Sequence, residues 1–86
     1  KCIIGENCTI FQHVTLGSKW SGGINEGGAP EIGNHVMIGA GACVLGNVTI
    51  GDNAVIGANA VVTHDVPPNV VVAGNPSRII KEKSNE

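Results

Sequence analysis

Three histidines, His13, His35 and His64, are the side chains in this 86-residue chain best suited to moving a proton near neutral pH. Imidazole is the one ordinary side chain whose titration range brackets neutrality. Three cysteines, Cys2, Cys8 and Cys43, complete the reactive set. Their number is odd and no CxxC pair occurs, so neither a disulfide framework nor a cysteine zinc site is expected, and they read as buried free thiols in a reducing compartment. The histidines are 22 and 29 residues apart (13 to 35, 35 to 64) and lack the close pair that one strand of a metal site supplies. No metal is expected. What an imidazole could do then depends on where the fold places it, which turns attention to the elements that place it.

The apolar residues are mostly β-branched: Val and Ile supply 21 positions, Leu only Leu16 and Leu45, and the aromatics are Phe11 and Trp20. Such a set suits pleated strands and argues against a helix bundle. Thirteen glycines and nine asparagines imply very many turns. A net charge of −2 offers no basic footprint for nucleic acid. No apolar run approaches a membrane span and no signal-peptide pattern occurs, so a cytoplasmic protein is expected, with neither nucleic acid nor membrane as partner.

A six-residue register starts at Ile4. Its first positions are Ile4, Ile10, Leu16, Ile32, Ile38, Val44, Ile50, Ile56 and Val62, all aliphatic, and the next position is Gly in six of these nine. The fifth position holds Cys8, Val14, Val36, Ala42, Val48, Ala54, Ala60 and Val66, all small or β-branched. The fourth holds Asn7, His13, His35, Gly41, Asn47, Asn53, Asn59 and Asp65, residue types that tolerate positive φ. Each hexad is therefore a short strand plus a corner. Three hexads close one coil of 18 residues, and parallel coils stack at about 4.8 Å. The expected fold is all-β: a single-stranded parallel solenoid of about three coils over residues 1–73. Lys1 stands where Met would open a gene product and the repeat is already running there, so the chain is expected to be an N-terminally incomplete piece.

Leu16 to Ile32 is 16 residues where the register allows six, so ten residues within 18–31 must leave the prism. This Gly-rich stretch, SKWSGGINEGGAPE, carries Trp20 and is expected to be a mobile, functional loop. Pro67-Pro68 should end the ladder, with one last strand over 69–73. Residues 74–86 are expected to turn at Gly74-Asn75-Pro76, form a short helix capped by Ser77 and running to Lys83, and fray over 84–86.

Residues 1 to about 80 resemble the hexapeptide-repeat acyltransferases. The segments CTIFQHVTLG (8–17), PEIGNHVMIGAGACVLGNV (30–48) and AGNPSR (73–78) are most similar to serine acetyltransferases, and the same segments with 50–76 are similar to sugar and capsule O-acetyltransferases. The resemblance implies a left-handed β-helix, a homotrimer, and transfer of acetyl from acetyl-CoA to a hydroxyl of a small-molecule acceptor, serine-like or sugar, with a His as general base. The catalytic His of the serine enzymes would fall before Lys1. Their Arg-His-Pro at the end of the loop is Gly28-Ala29-Pro30 here.

On this basis His13 is the candidate base, with a corner role as its alternative; His35 and His64 read as corners. The resemblance places the cofactor against Gly17 and Ser18, against Ala40 in IGAGA, and against Ala58 and Asn59 in IGANA, with Arg78 and Lys81 as candidates for the CoA phosphates. Two other classes remain in view. A trimeric zinc hydratase on the same fold needs three His converging on one metal, which these spacings do not supply. A non-catalytic hexapeptide-repeat scaffold would need no base at all.

Overall fold

The computed structural model describes residues 3–17, 19–21 and 24–83, with the side chains of 19–21 and 24–27 outside that description. Among the described residues thirteen strands follow in order: β1 Ile3–Ile4, β2 Thr9–Ile10, β3 Thr15–Gly17, β4 Lys19–Ser21, β5 Ile24–Gly27, β6 Glu31–Ile32, β7 Met37–Ile38, β8 Cys43–Leu45, β9 Thr49–Ile50, β10 Val55–Ile56, β11 Val61–Val62, β12 Val70–Ala73 and β13 Arg78–Glu82. Three parallel ladders form the faces of a prism. The first face is β1-β6-β9, the second is β2-β7-β10-β12 with β13 added at its edge, and the third is β3-β8-β11.

Register follows the hexads. Ile4 pairs with Ile32 and Ile32 with Ile50, a step of 28 residues (4 to 32) and then of 18 (32 to 50). The extra ten residues of the first coil leave the prism between Gly17 and Glu31 and form the antiparallel hairpin β4-β5, with Lys19 opposite Gly27 and Ser21 opposite Ile24. Within the described residues the extruded stretch therefore carries a two-stranded antiparallel element.

Inward columns make the core. Ile38, Ile56, Val44, Val62 and Ile50 are fully enclosed, as are Ala42, Ala54 and Ala60 of the fifth hexad position. No polar side chain is buried among the described residues. The lowest coil is less covered, since Ile4 and Ile10 have a coil on one side only and remain 46% and 38% exposed. Corners carry the positive φ expected at Asn7, His13, His35, Gly41, Asn53 and Asn59. At one corner the side chains also stitch coil to coil: Asn34 Oδ1 accepts from Glu6 N–H and Asp52 Oδ1 from Asn34 N–H, each at 2.8 Å. Gly33 is required there, because a Cβ would collide with the Asp52 carboxylate.

Three local expectations are corrected. At the third corner of the second coil the positive φ falls on Gly46 rather than Asn47, and in the third coil on neither Asp65 nor its neighbours. That coil is shortened: Val66 bridges to Ile50 and Val71 pairs with Val55, steps of 16 residues (50 to 66, 55 to 71), so Asn69 becomes the corner above Asn53. The chain tightens at His64-Asp65, where Asp65 Oδ1 accepts from Thr49 N–H at 2.9 Å. Second, Pro67-Pro68 does not end the ladder, since Val66 O still accepts from Gly51 N–H and Asn69 N–H donates to Asp52 O. The prolines lie in the highest coil of the described residues, where lower-coil N–H groups elsewhere point up to the coil above and no described coil stands above to receive one.

Third, the expected C-terminal helix is absent. Residues 78–82 are strand β13, antiparallel to β12, with Ala73 opposite Arg78, Val71 opposite Lys81, and a bulge at Ile80. Ser77 and the Lys and Glu residues favour a helix locally, but the open edge of β12 offers ladder hydrogen bonds and Ile79-Ile80 suit a strand, so tertiary pairing prevails. The expected fraying of 84–86 lies outside the described residues.

Replacing Ile38 by Ala should lower the unfolding free energy by about 3 kcal/mol in a urea titration, because its enclosed column leaves a cavity that a packed β-helix refills poorly. A loss below about 1 kcal/mol would contradict the enclosed column.

Candidate functional site

The corner between the second and third faces collects most of the chemistry-bearing positions. Register β2-β7 sets Gln12-His13 beneath Ala40-Gly41, and β7-β10 sets these beneath Ala58-Asn59. Backbone bonds confirm the order: Gly41 N–H donates to Gln12 O at 3.0 Å and Asn59 N–H to Ala40 O at 2.9 Å. Above them Ala73 lies over Gly57, and Gly74 O accepts from Val61 N–H at 3.0 Å. His13 is thus two coil steps, about 10 Å, below Asn59 along one edge of the prism.

The edge is bare for identifiable reasons. Gly39 admits no side chain, since a Cβ would stand 2.6 Å from Ala58 N. Gly41 has φ +74 and the Asn59 side-chain amide oxygen lies over it, where a Cβ would collide. Ala40 is half-buried and Ala58 exposed, each with a methyl as its only projection. A long, flexible chain bearing amides could approach the backbone here, which is the fit test a pantetheine arm requires.

His13 is exposed and sits at φ +61, so it does occupy a corner. That geometry leaves its ring in solvent at the foot of the column, and the two roles weighed from sequence are compatible in space. His35, at φ +59, occupies a different corner, with Asn7 and Asn53, and His64 lies in the shortened turn.

The remaining predicted residues divide. Arg78 pairs with Ala73, which brings its exposed side chain to the upper end of the column. Lys81 pairs with Val71, farther along β13. Gly17 ends β3 opposite Leu45, at the far side of the third face from Ala40, and Ser18 lies outside the described residues. One chain therefore does not bring Gly17 to the column. The hairpin returns beside Gly17's corner, where Gly28 (φ +87) packs so closely on Asn47 that a Cβ would stand 2.6 Å from its N. Pro30 is fully buried. Asn75 follows Gly74 at the column's top and was read from sequence only as a turn residue; the glycine column Gly39-Gly57 beside the corner was likewise visible only as repeat.

Two further features bear on the site. Cys43 is a half-buried free thiol on the third face, paired with Thr15 and Val61. An open depression lies away from the column, on the outside of the first face, lined by Ile3, Glu31, Thr49, Asp52 and Pro68. Among the described residues no three His, Cys, Asp or Glu side chains converge, and no helix is long and apolar enough to cross a membrane.

Residues 29–64 match the family model described as bacterial transferase hexapeptide (six repeats). The chain is 52% identical over 85 residues to serine acetyltransferase 1, chloroplastic, of Arabidopsis thaliana, covering 96% of this chain and 26% of that protein. It superposes on serine acetyltransferase in complex with coenzyme A from Brucella abortus with a TM-score of 0.86 and 42% identity, over 96% of this chain and 32% of that one. A maltose O-acetyltransferase from Clostridium difficile gives 0.81 and 40%, over 99% and 50%. Superposition preserves hand, and the fold is the left-handed parallel β-helix of these acetyltransferases. The chain spans about a quarter to a third of the serine acetyltransferases it matches.

Because Asn tolerates the left-handed region and Val does not, His13→Asn should leave stability within about 0.5 kcal/mol of wild type while His13→Val lowers it by about 1 to 2 kcal/mol. Equal stabilities in a urea titration would contradict the corner geometry.

Proposed function

We propose that this chain, whose repeat is that of the bacterial transferase hexapeptide family, is the acetyl-CoA-binding β-helix of an O-acetyltransferase acting on a hydroxyl of a small acceptor. The observation that carries this reading is the single edge on which His13, Ala40, Ala58, Asn59 and Arg78 follow one another in height. The relative solved with coenzyme A, similar over nearly the whole of this chain, supports the cosubstrate.

Acetyl-CoA supplies an acetyl group activated as a thioester. Backbone amides and carbonyls beside Ala40 and Ala58 are placed to bond the pantetheine amides, and the small side chains let the arm approach. Arg78 presents a guanidinium fork to the phosphates, with Lys81 as a more distant cation. His13 at the foot accepts the proton of the acceptor hydroxyl as its oxygen attacks the acetyl carbon; the C–S bond of the thioester then breaks, and the departing CoA thiolate takes that proton from His13, which completes general acid–base catalysis. A positioned N–H donor would hold the developing oxyanion. Gly17 belongs to the same site through the neighbouring subunit of a homotrimer, and Ser18, outside the described residues, is assigned to it from the resemblance alone. Free thiols at Cys8 and Cys43 suit a reducing cytoplasm.

Serine-like and sugar acceptors are both consistent with the relatives. The foot of the hairpin favours the sugar: Gly28 admits no side chain, and Ala29 beside it carries no charge to meet an amino-acid carboxylate.

Millimolar acetyl-CoA should raise the melting temperature of the full chain, since saturation at a hundredfold excess over Kd contributes about 2.7 kcal/mol. No shift would remove the cosubstrate reading. In a screen of serine, homoserine and sugars with detection of the freed thiol, wild type should turn over at least one acceptor. His13→Asn, which keeps the corner, should lose at least a hundredfold, roughly what a general base contributes. Activity within tenfold of wild type would return His13 to a purely conformational role.

A further inference from the structure

The second position of the hexad is glycine in six of nine, and the packing of the coils shows why. A Cβ at Gly39 would stand 2.6 Å from Ala58 N in the coil above, and one at Gly51 would collide with Pro68 N. Phe11 departs from this rule. It holds the same place in its own hexad, since Phe11 N–H donates to Ile38 O at 3.0 Å just as Gly39 N–H donates to Ile56 O at 2.8 Å. By register this column rises from Phe11 through Gly39 and Gly57 to Ala73. An aromatic ring therefore stands at the foot of a column that otherwise projects hydrogens and one methyl. The ring adds nothing to the core, for it remains 48% exposed and lies outside the cluster of enclosed aliphatics. It is also set one column away from Thr9, Met37, Val55 and Val71, which run up the middle of the second face, and it borders the corner that His13 occupies.

We propose that Phe11 is the platform on which a hexopyranose acceptor stacks, its reacting hydroxyl turned to His13 two residues on. The face of an aromatic ring is electron-rich, and the C–H bonds on the apolar face of a pyranose are polarised toward positive, so the two surfaces lie flat against one another. Serine and open-chain polyols have no such face. Gln12, exposed between the ring and the imidazole, carries an amide whose donors and acceptor suit vicinal hydroxyls. Three consecutive residues then divide the recognition of the acceptor: the ring fixes the plane of the sugar, the amide fixes its rotation in that plane, and the imidazole takes the proton.

Height along the prism separates the two substrates. Phe11 lies in the lowest described coil, with Ala40 and Ala58 one and two coils above it, so the pantetheine arm descends the edge and meets the sugar at its foot. This inference rests on the acetyl-CoA reading of that edge, and it gives a part to an aromatic residue that neither the core nor the cofactor edge employs.

The sequence holds a single phenylalanine, so ring-labelled phenylalanine reports on Phe11 alone in an NMR titration of the full chain. Its ring signals should shift on addition of the methyl pyranosides of glucose, galactose or mannose and show nuclear Overhauser contacts to sugar ring protons, while serine and sorbitol leave them in place. Ring signals that ignore every pyranoside, or that move with acetyl-CoA alone, overturn the platform. The amides of Ala40 and Ala58, followed in the same samples with acetyl-CoA, report on the cofactor edge separately, so failure of that reading shows as unmoved amides whatever the ring does. Phe11→Gly gives this hexad the residue that six others carry, and it should keep the wild-type circular dichroism spectrum and sedimentation. It should lower kcat/KM for the pyranoside by at least about tenfold, leave KM for acetyl-CoA unchanged, and be rescued by Phe11→Trp. Full activity of Phe11→Gly, an equal loss toward serine, or a changed sedimentation coefficient, which makes the ring a contact between copies, overturns the assignment.

Discussion

Everything in this molecule depends on one constraint: each coil must bury its aliphatic column against the coil below at the spacing of adjacent parallel strands. Among the described residues no aromatic side chain fills the interior. Ile38 meets Ile56 because both are held in register by the same face, and the alanines at positions 42, 54 and 60 take the tighter places beside the corners. The corners must then turn within two residues, and positive φ at Asn, His or Gly is the means. Stability and shape thus share a single repeating contact, and the outside of the prism is left free to vary.

That freedom is where function enters. The edge bearing Ala40 and Ala58 leaves backbone accessible because the glycines at 39, 41 and 57 and the alanines themselves project little, with only the short Asn59 amide lying over Gly41, while the Asn34-Asp52 corner carries amide and carboxylate stitches between coils. Backbone exposed along a rigid edge is a preorganised set of donors and acceptors that costs no ordering when a ligand arrives. The lone imidazole at the foot of this edge and the guanidinium at its head extend the same line.

The inward columns were legible in the sequence because a period of six repeated over nine hexads cannot arise from a single local preference. The corners at Asn7, His13, His35, Gly41, Asn53 and Asn59 were legible for the same reason, though those expected at Asn47 and Asp65 were not, and so was the ten-residue excess between Leu16 and Ile32. What escaped was decided by partners rather than by local pattern. The shortened third coil turns on Asp65 reaching Thr49 N–H, which moves the next corner to Asn69. The segment after Ser77 carries a capping signature and helix-forming residues, yet the exposed edge of β12 draws it into a strand. The hairpin follows from a Gly-rich stretch whose two short arms pair only once Gly17 and Gly28 bring its ends to one corner. Ala40, Ala58 and Asn59 were assigned to the cofactor from the resemblance alone, and the placing of Gly17 on another edge could be seen only in three dimensions.

The central claim is that the edge between the second and third faces holds acetyl-CoA. Backbone amide NMR on the full chain during titration with acetyl-CoA tests it most directly. The account predicts the largest shift changes at Ala40, Gly41, Ala58 and Asn59, with small changes at Glu31 and Thr49 on the first face. Changes concentrated around Glu31 and Thr49, with the four edge amides unmoved, would contradict it.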